Sequence, residues 1–169
     1  GADSTSPGSG TVNYLGSYRF EIKYSEPAGV KVGANQPSAL MAMNRAIEMI
    51  SNLKTPYDLD KKAERTTYTV GVGSCTPAPE GERSKECTLL VDMRSPTPGP
   101  LKDIRSKIEP AFAKALQQEN AKYGLKDGDA KAVKMELVWF GDRPAHKRKN
   151  YDDPAMQAFW QSARTAGID

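Results

Sequence analysis

A chain of 169 residues, 38% of them hydrophobic, has the length of one domain with an appendage and enough apolar material for an ordinary core. Its 24 basic and 21 acidic residues leave a net charge of only +3, and the two signs are mixed along the chain, so no dedicated nucleic-acid surface is required. No apolar run approaches a membrane span and no signal peptide opens the chain, so no membrane partner is expected.

The first ten residues, Gly1-Ala-Asp-Ser-Thr-Ser-Pro-Gly-Ser-Gly10, bury nothing and read as a linker, and the missing start Met suggests a processed or truncated chain. Ser17 to Tyr24 alternates strictly, with Tyr18, Phe20, Ile22 and Tyr24 on one face and Arg19, Glu21 and Lys23 on the other, which predicts a half-buried strand. A loop from Ser25 to Pro37 follows. Ser38 is a plausible N-cap for a helix to about Leu53, with Leu40, Met43, Ile47 and Ile50 as its apolar stripe, Ala46 and Leu53 on the flank, and Met49 widening it. Thr55 to Arg65 is a polar connection.

Thr66 to Cys75 and Lys85 to Ser95 then read as a hairpin around a Pro- and Gly-containing loop, Thr76 to Arg83. Tyr68, Val70 and Val72 fall on one face of its first strand, and Leu89, Val91 and Met93 on one face of its second. Cys75 and Cys87 sit near the loop end and would bridge if the register brings them opposite each other; otherwise they are two small strand residues. A bridge would imply a periplasmic or secreted location, its absence a cytoplasmic one. Pro96 to Pro100 ends the strand and places Pro100 at a helix start. Leu101, Ile104, Ile108, Phe112 and Leu116 then mark a helix to about Asn120, which Pro110 should kink or divide. After turn signals at Gly124 and Asp127-Gly-Asp129, Ala132 to Phe140 gives a fourth strand with Val133, Met135, Leu137 and Trp139 inward. Gly141 to Ala145 breaks it, and Asp153 caps a last helix from Pro154 to about Ala166 whose stripe is Met156, Phe159, Trp160 and Ala163. The order strand, helix, strand, strand, helix, strand predicts an α+β, ferredoxin-like βαββαβ sandwich: a four-stranded antiparallel sheet with two helices on one face, plus a C-terminal helix in need of another surface.

Catalytic constellations are scarce. His146 is the sole histidine and lies in the basic run His146-Lys-Arg-Lys149, so neither a histidine metal cluster nor a triad with Ser74 or Ser84 is supported. The pairs Asp58 with Asp60 and Asp152 with Asp153 fit solvation or capping better than acid–base work. Gly71-Val-Gly73 is too short for a phosphate loop.

Five ordered segments carry a resemblance: Gly16-Ser-Tyr-Arg-Phe-Glu-Ile followed by Pro27-Ala-Gly, Ala42-Met-Asn-Arg-Ala-Ile47, Thr66-Thr-Tyr-Thr-Val-Gly-Val72, Val91-Asp-Met-Arg-Ser95 and Gly141-Asp-Arg-Pro-Ala145. Together they resemble the lid, or dimerisation, domain inserted into the zinc-dependent aminoacylase, carboxypeptidase and deacetylase family of metallopeptidases, which includes acetylornithine deacetylases and succinyl-diaminopimelate desuccinylases. The resemblance implies a linker or hinge over 1–16, the lid over 17–141, and a hinge plus the start of a returning catalytic segment over 142–169, with Gly16, Gly141 and Pro144 as hinge residues. It also implies a homodimer and, in the parent protein, the chain's own catalytic domain as a further partner. Zinc, with all its ligands, would belong to that catalytic domain and no cofactor to this chain. The family's lid histidine is replaced by Val30, in Pro27-Ala-Gly-Val-Lys31, and its lid asparagine has no counterpart in Gly73 to Ala78. No catalytic or metal residue is therefore assigned.

The expected function is a non-catalytic dimerisation module of a zinc-dependent hydrolase that cleaves an amide next to a free carboxylate. The dimer is expected to form through Met43, Ile47, Met49 and Ile50 of the first helix and through the edge strand Thr66 to Gly73, with Thr67, Thr69 and Gly71. Two alternatives differ in class. A stand-alone ligand-binding sandwich would need a pocket near Val30 and Lys31, and a nucleic-acid-binding sandwich would need Arg19, Lys23, Arg94 and Lys134 free on the open sheet face.

Overall fold

The computed structural model describes residues 14–53, 66–145 and 153–167. The N-terminal linker through residue 13, the connection up to Arg65, the carboxylates Asp58, Asp60 and Asp152, and the basic run from His146 lie outside the described residues.

Among the described residues seven elements follow in the order β1 (Gly16–Ser25), α1 (Ala39–Ser51), β2 (Thr67–Cys75), β3 (Glu86–Ser95), α2 (Pro98–Ala121), β4 (Lys134–Arg143) and α3 (Pro154–Thr165). The four strands form one sheet in the order β2-β3-β1-β4, every neighbouring pair antiparallel. A single antiparallel bridge between Lys31 and Glu82 extends strand pairing into the loops beyond these four strands.

Register explains the core. Phe20 lies opposite Val91 and Ile22 opposite Leu89 on β3, and the same two residues face Trp139 and Leu137 on β4. Alternate side chains share a face, so this register stacks the apolar rows of three strands on one side. Phe20, Ile22, Tyr24, Leu89, Val91 and Met93 are fully buried there, against α1 and α2. Phe20 meets Phe112 of α2 edge-on at 5.9 Å, and the Tyr24 hydroxyl donates to the Phe112 carbonyl at 3.1 Å. Burial pushes the Tyr24 phenol up, which keeps it a neutral donor.

Several elements differ from the sequence expectation. In α1 the buried residues are Ala39, Ala42, Met43, Ala46 and Ile50, while Leu40 is 45% exposed. Three alanines let the helix approach the sheet closely, and this turns Leu40 out to the flank. α2 begins at Pro98 rather than Pro100 and runs unbroken through Pro110 for 24 residues. Its buried stripe continues on both sides of Pro110, from Ile104 and Ile108 to Phe112 and Ala115, and tertiary packing outweighs the missing hydrogen bond. In β2 the register shifts between Val70, opposite Val91, and Val72, opposite Leu90. The regular pairing expected through this strand is therefore interrupted at Gly71, a residue suited to a bulge.

α3 is capped as expected, Asp153 accepting from the Ala155 amide at 2.8 Å. Its Phe159 and Trp160 remain more than a third exposed, and it packs only marginally on the other elements.

Candidate functional site

Antiparallel order puts the loops after β1 and β2 and the loop before β4 at one end of the sheet. At that end two buried carboxylates meet the first turn of α1. Glu119, near the end of α2, is fully buried; its Oε1 accepts from the Ser38 amide at 3.1 Å and its Oε2 from Arg45 Nε at 2.9 Å. Ser38 is the N-cap, but its side chain caps nothing. The acid arrives from α2 instead, where a negative group also suits the positive end of the helix dipole. Asn120 beside it fixes the start of β4, giving and taking hydrogen bonds with the Val133 backbone at 3.0 and 2.9 Å.

Glu26 lies at the end of β1 with its side chain 2% exposed, paired to Arg83 Nη2. Burial pushes its carboxyl above the ordinary range. The Arg83 charge and hydrogen bond and the Ala39 amide pull it back, and the nearby Glu119 pushes it up again. Arg83 also donates to the Gln36 and Pro37 carbonyls at 3.2 and 2.9 Å, and its own amide donates to Val30 at 2.9 Å. Glu26 Oε1 and Arg83 Nε are buried without hydrogen-bond partners among the described residues. These groups hold loops; none presents an exposed nucleophile or general base.

Val30 is 6% exposed and turned inward, while Lys31 is exposed and paired to Glu82 at 2.9 Å. Of the four cations expected on the open sheet face, Lys134 is exposed at the start of β4 and the other three are engaged. Arg19 and Arg94 both reach Asp92, at 2.8 and 3.0 Å, and Lys23 lies 3.5 Å from Glu86. Partial burial would raise Asp92, but the hydrogen bonds and charges of Arg94 and Arg19 outweigh it and hold the carboxyl low.

Of the residues expected at a dimer interface, Met43 and Ile50 are buried in the chain's own core. They stand on the sheet side of α1, which the alanine contacts draw inward. Met49 is partly buried and lines a groove with Leu53, Pro110 and Ala111 between α1 and α2, of about 450 Å³. Ile47 is half-buried, and with Leu40 it marks the flank of α1 away from Arg45 and Met49. β2 is an edge strand, with Thr67 half-buried and Thr69 and Gly71 exposed.

Cys75 and Cys87 are directly opposite each other and joined, with Cα atoms 4.0 Å apart. The shift at Gly71 sets this register; without it Cys75 would face Glu86. Of the residues expected at a hinge, Gly16 is the most constrained. A Cβ added there would stand 2.7 Å from the Ala145 amide nitrogen, so the chain running into β1 and the chain leaving β4 are in contact. Gly141 packs against the Arg19 side chain, and Pro144 is exposed in the segment after β4. Among the described residues no group of three or more His, Cys, Asp or Glu could hold a metal ion, so no zinc chemistry is derived from them. Among them, too, no helix is long and apolar enough to cross a membrane.

No protein-family model and no curated protein matches the sequence. Solved structures do. An aminobenzoyl-glutamate utilization protein from Klebsiella pneumoniae aligns over 92% of this chain and 34% of its own, at 19% identity and a TM-score of 0.62. A hydantoinase/carbamoylase family amidase from Burkholderia ambifaria aligns over 93% and 35%, at 12% identity and a TM-score of 0.58. A tripeptidase from Staphylococcus aureus aligns over 94% and 37%, at 18% identity and a TM-score of 0.55. At such identities the likeness establishes a shared fold, and this chain spans about a third of the length of the amidohydrolases and peptidases it matches.

Proposed function

We propose that the chain is the dimerisation, or lid, domain of a zinc-dependent hydrolase, with a ferredoxin-like sandwich inserted into a catalytic domain it does not contain. The observation that carries this reading is the asymmetry of the alignments: more than nine-tenths of this chain corresponds to about a third of each hydrolase. The contact of Gly16 with Ala145 supports it, because an inserted domain needs its incoming and outgoing strands side by side. The exposed apolar stripe of α3 fits an element whose packing surface belongs to a domain outside the described residues. The parent would cleave an amide next to a free carboxylate, with zinc held by the catalytic domain.

The dimer would use the open edge of β2 and the flank of α1 that carries Leu40 and Ile47. Two edge strands paired across a two-fold axis would satisfy each other's unpaired backbone groups. Light scattering of the purified chain over a tenfold concentration range tests this. A mass near twice 18.4 kDa that falls to the monomer value in Leu40→Glu supports the reading. A concentration-independent monomer removes the dimerisation function.

A further inference from the structure

We infer that the Cys75–Cys87 disulfide is a redox lock on a second loop, the segment 26–37, and that Arg83 carries the coupling. The bridge closes the base of the 76–86 loop where β2 ends and β3 begins. Arg83 lies within that loop and ties both ends of the other one: Glu26 and Val30 at its start, Gln36 and Pro37 at its end. The Val32 amide donates to the Gly81 carbonyl at 3.0 Å, which adds a backbone tie between the loops. The position of segment 26–37 thus depends on the hairpin loop, through the Arg83 guanidinium at both of its ends and through backbone ties that include the Glu26 amide to the Lys85 carbonyl at 2.8 Å. The bridge restricts that position by shortening the free span between the strands.

The two sulfurs are unequally accessible. Cys87 is fully buried, whereas Cys75 is half-buried on the edge strand, beyond the stretch Thr66 to Gly73 proposed to pair between subunits. A thiol reductant therefore attacks at Cys75. Its thiolate forms a new S–S bond with Cys75 Sγ, the Cys75–Cys87 bond breaks, and Cys87 leaves with the electron pair and takes a proton. A second thiol of the reductant resolves the mixed disulfide and frees Cys75, so two thiols are oxidised for each bridge reduced. Reduction leaves Arg83 on a longer tether, and segment 26–37 loosens with it. The inference rests on the loop geometry alone and stands whether or not the chain dimerises.

Hydrogen exchange read by mass spectrometry on the purified chain tests it, comparing the oxidised protein with protein reduced by a dithiol and confirmed reduced by thiol counting. Exchange of segment 26–37 is expected to rise about tenfold on reduction together with that of 76–85, while β1 and β4 keep their protection. In oxidised Arg83→Gln, segment 26–37 is expected to exchange fast already, and reduction should add nothing there. Loss confined to 76–85, loss throughout the sheet, or a full redox response surviving in Arg83→Gln would each overturn the coupling.

Discussion

Replacing Glu119 by Gln is the most direct test of what seats α1 on α2. The two carboxylate oxygens accept from different donors, Ser38 N at 3.1 Å and Arg45 Nε at 2.9 Å. Glutamine keeps the shape but offers one acceptor and one NH2, so in either orientation one donor meets another donor. An unsatisfied buried group costs about 1–3 kcal/mol. Loss of the charged partner of Arg45, whose side chain is 31% exposed and so partly compensated by water, adds about 1 kcal/mol. The expected loss is therefore roughly 2–4 kcal/mol, or a Tm lower by about 5–15 °C for a chain of this size. Denaturant titration of the single variants and of the Arg45→Met/Glu119→Gln pair should show the two sites coupled by about 1–3 kcal/mol. A Glu119→Gln protein within about 0.5 kcal/mol of the parent, or additive single effects, would show that the carboxylate does not hold the helix start.

Three further outcomes are expected. Gly16→Ala brings a Cβ to 2.7 Å from backbone at Ala145 and should destabilise by about 1–3 kcal/mol through forced backbone movement; an unchanged thermal melt would mean that the two strands part freely. Reducing the bridge or introducing Cys75→Ser with Cys87→Ser reopens a loop of 12-residue separation, and should cost about 3 kcal/mol, seen as a lower urea midpoint. Arg83→Ala should destabilise more at pH 8 than at pH 5. The folded Glu26 carboxyl titrates above its unfolded value, so between the two the folded chain holds a proton that the unfolded chain has released, and stability falls as pH rises through that window. Removing Arg83 removes the main opposing influence and steepens the fall; equal losses at both pH values would contradict the burial-driven shift.

Most of the framework was legible because it rests on periodicity. The alternation of Tyr18, Phe20, Ile22 and Tyr24 and that of Leu89, Val91 and Met93 mark the strands that lie at the centre of the sheet, where one buried face enforces strict register. Legibility ends where side-chain size or a single inserted residue decides. Leu40 looked like core, but the three small alanines set the seat of α1. The bulge at Gly71 is not visible in a pattern of Val, Thr and Gly, although it determines that Cys75 faces Cys87. The buried charges went unread for another reason. Glu26 ends a strand and Arg83 lies in a loop, so no spacing connects them. Glu119 did leave a signal: Ile104, Ile108, Phe112, Ala115 and Glu119 continue one helical stripe, and a carboxylate on a core stripe demands buried donors.

The two ends of the sandwich differ in what holds them, and the difference matters if the domain moves as a lid. One end is where the chain runs in at Gly16 and out past Ala145, through backbone contact that leaves no room for a side chain. The other carries the loops 26–37 and 76–85, ten strand residues away, or about 33 Å. On the proposed reading, a rotation of about 10° at the first end would displace the second by about 6 Å, given the rise of the strands between them. Such a lever delivers its loops to a fixed place only if they do not sag. The apolar core reaches this end, through Tyr24, Cys87 and Val133, but its contacts are non-directional and do not by themselves fix where the loops point. Directional ties are needed at the tip, and that is where the Glu26–Arg83 pair, the Glu119 seat of α1 and the disulfide are found. Their burial carries a desolvation cost that an apolar cluster of the same volume would avoid. A charged tip is therefore explained better by the need to hold those loops in place than by stability alone.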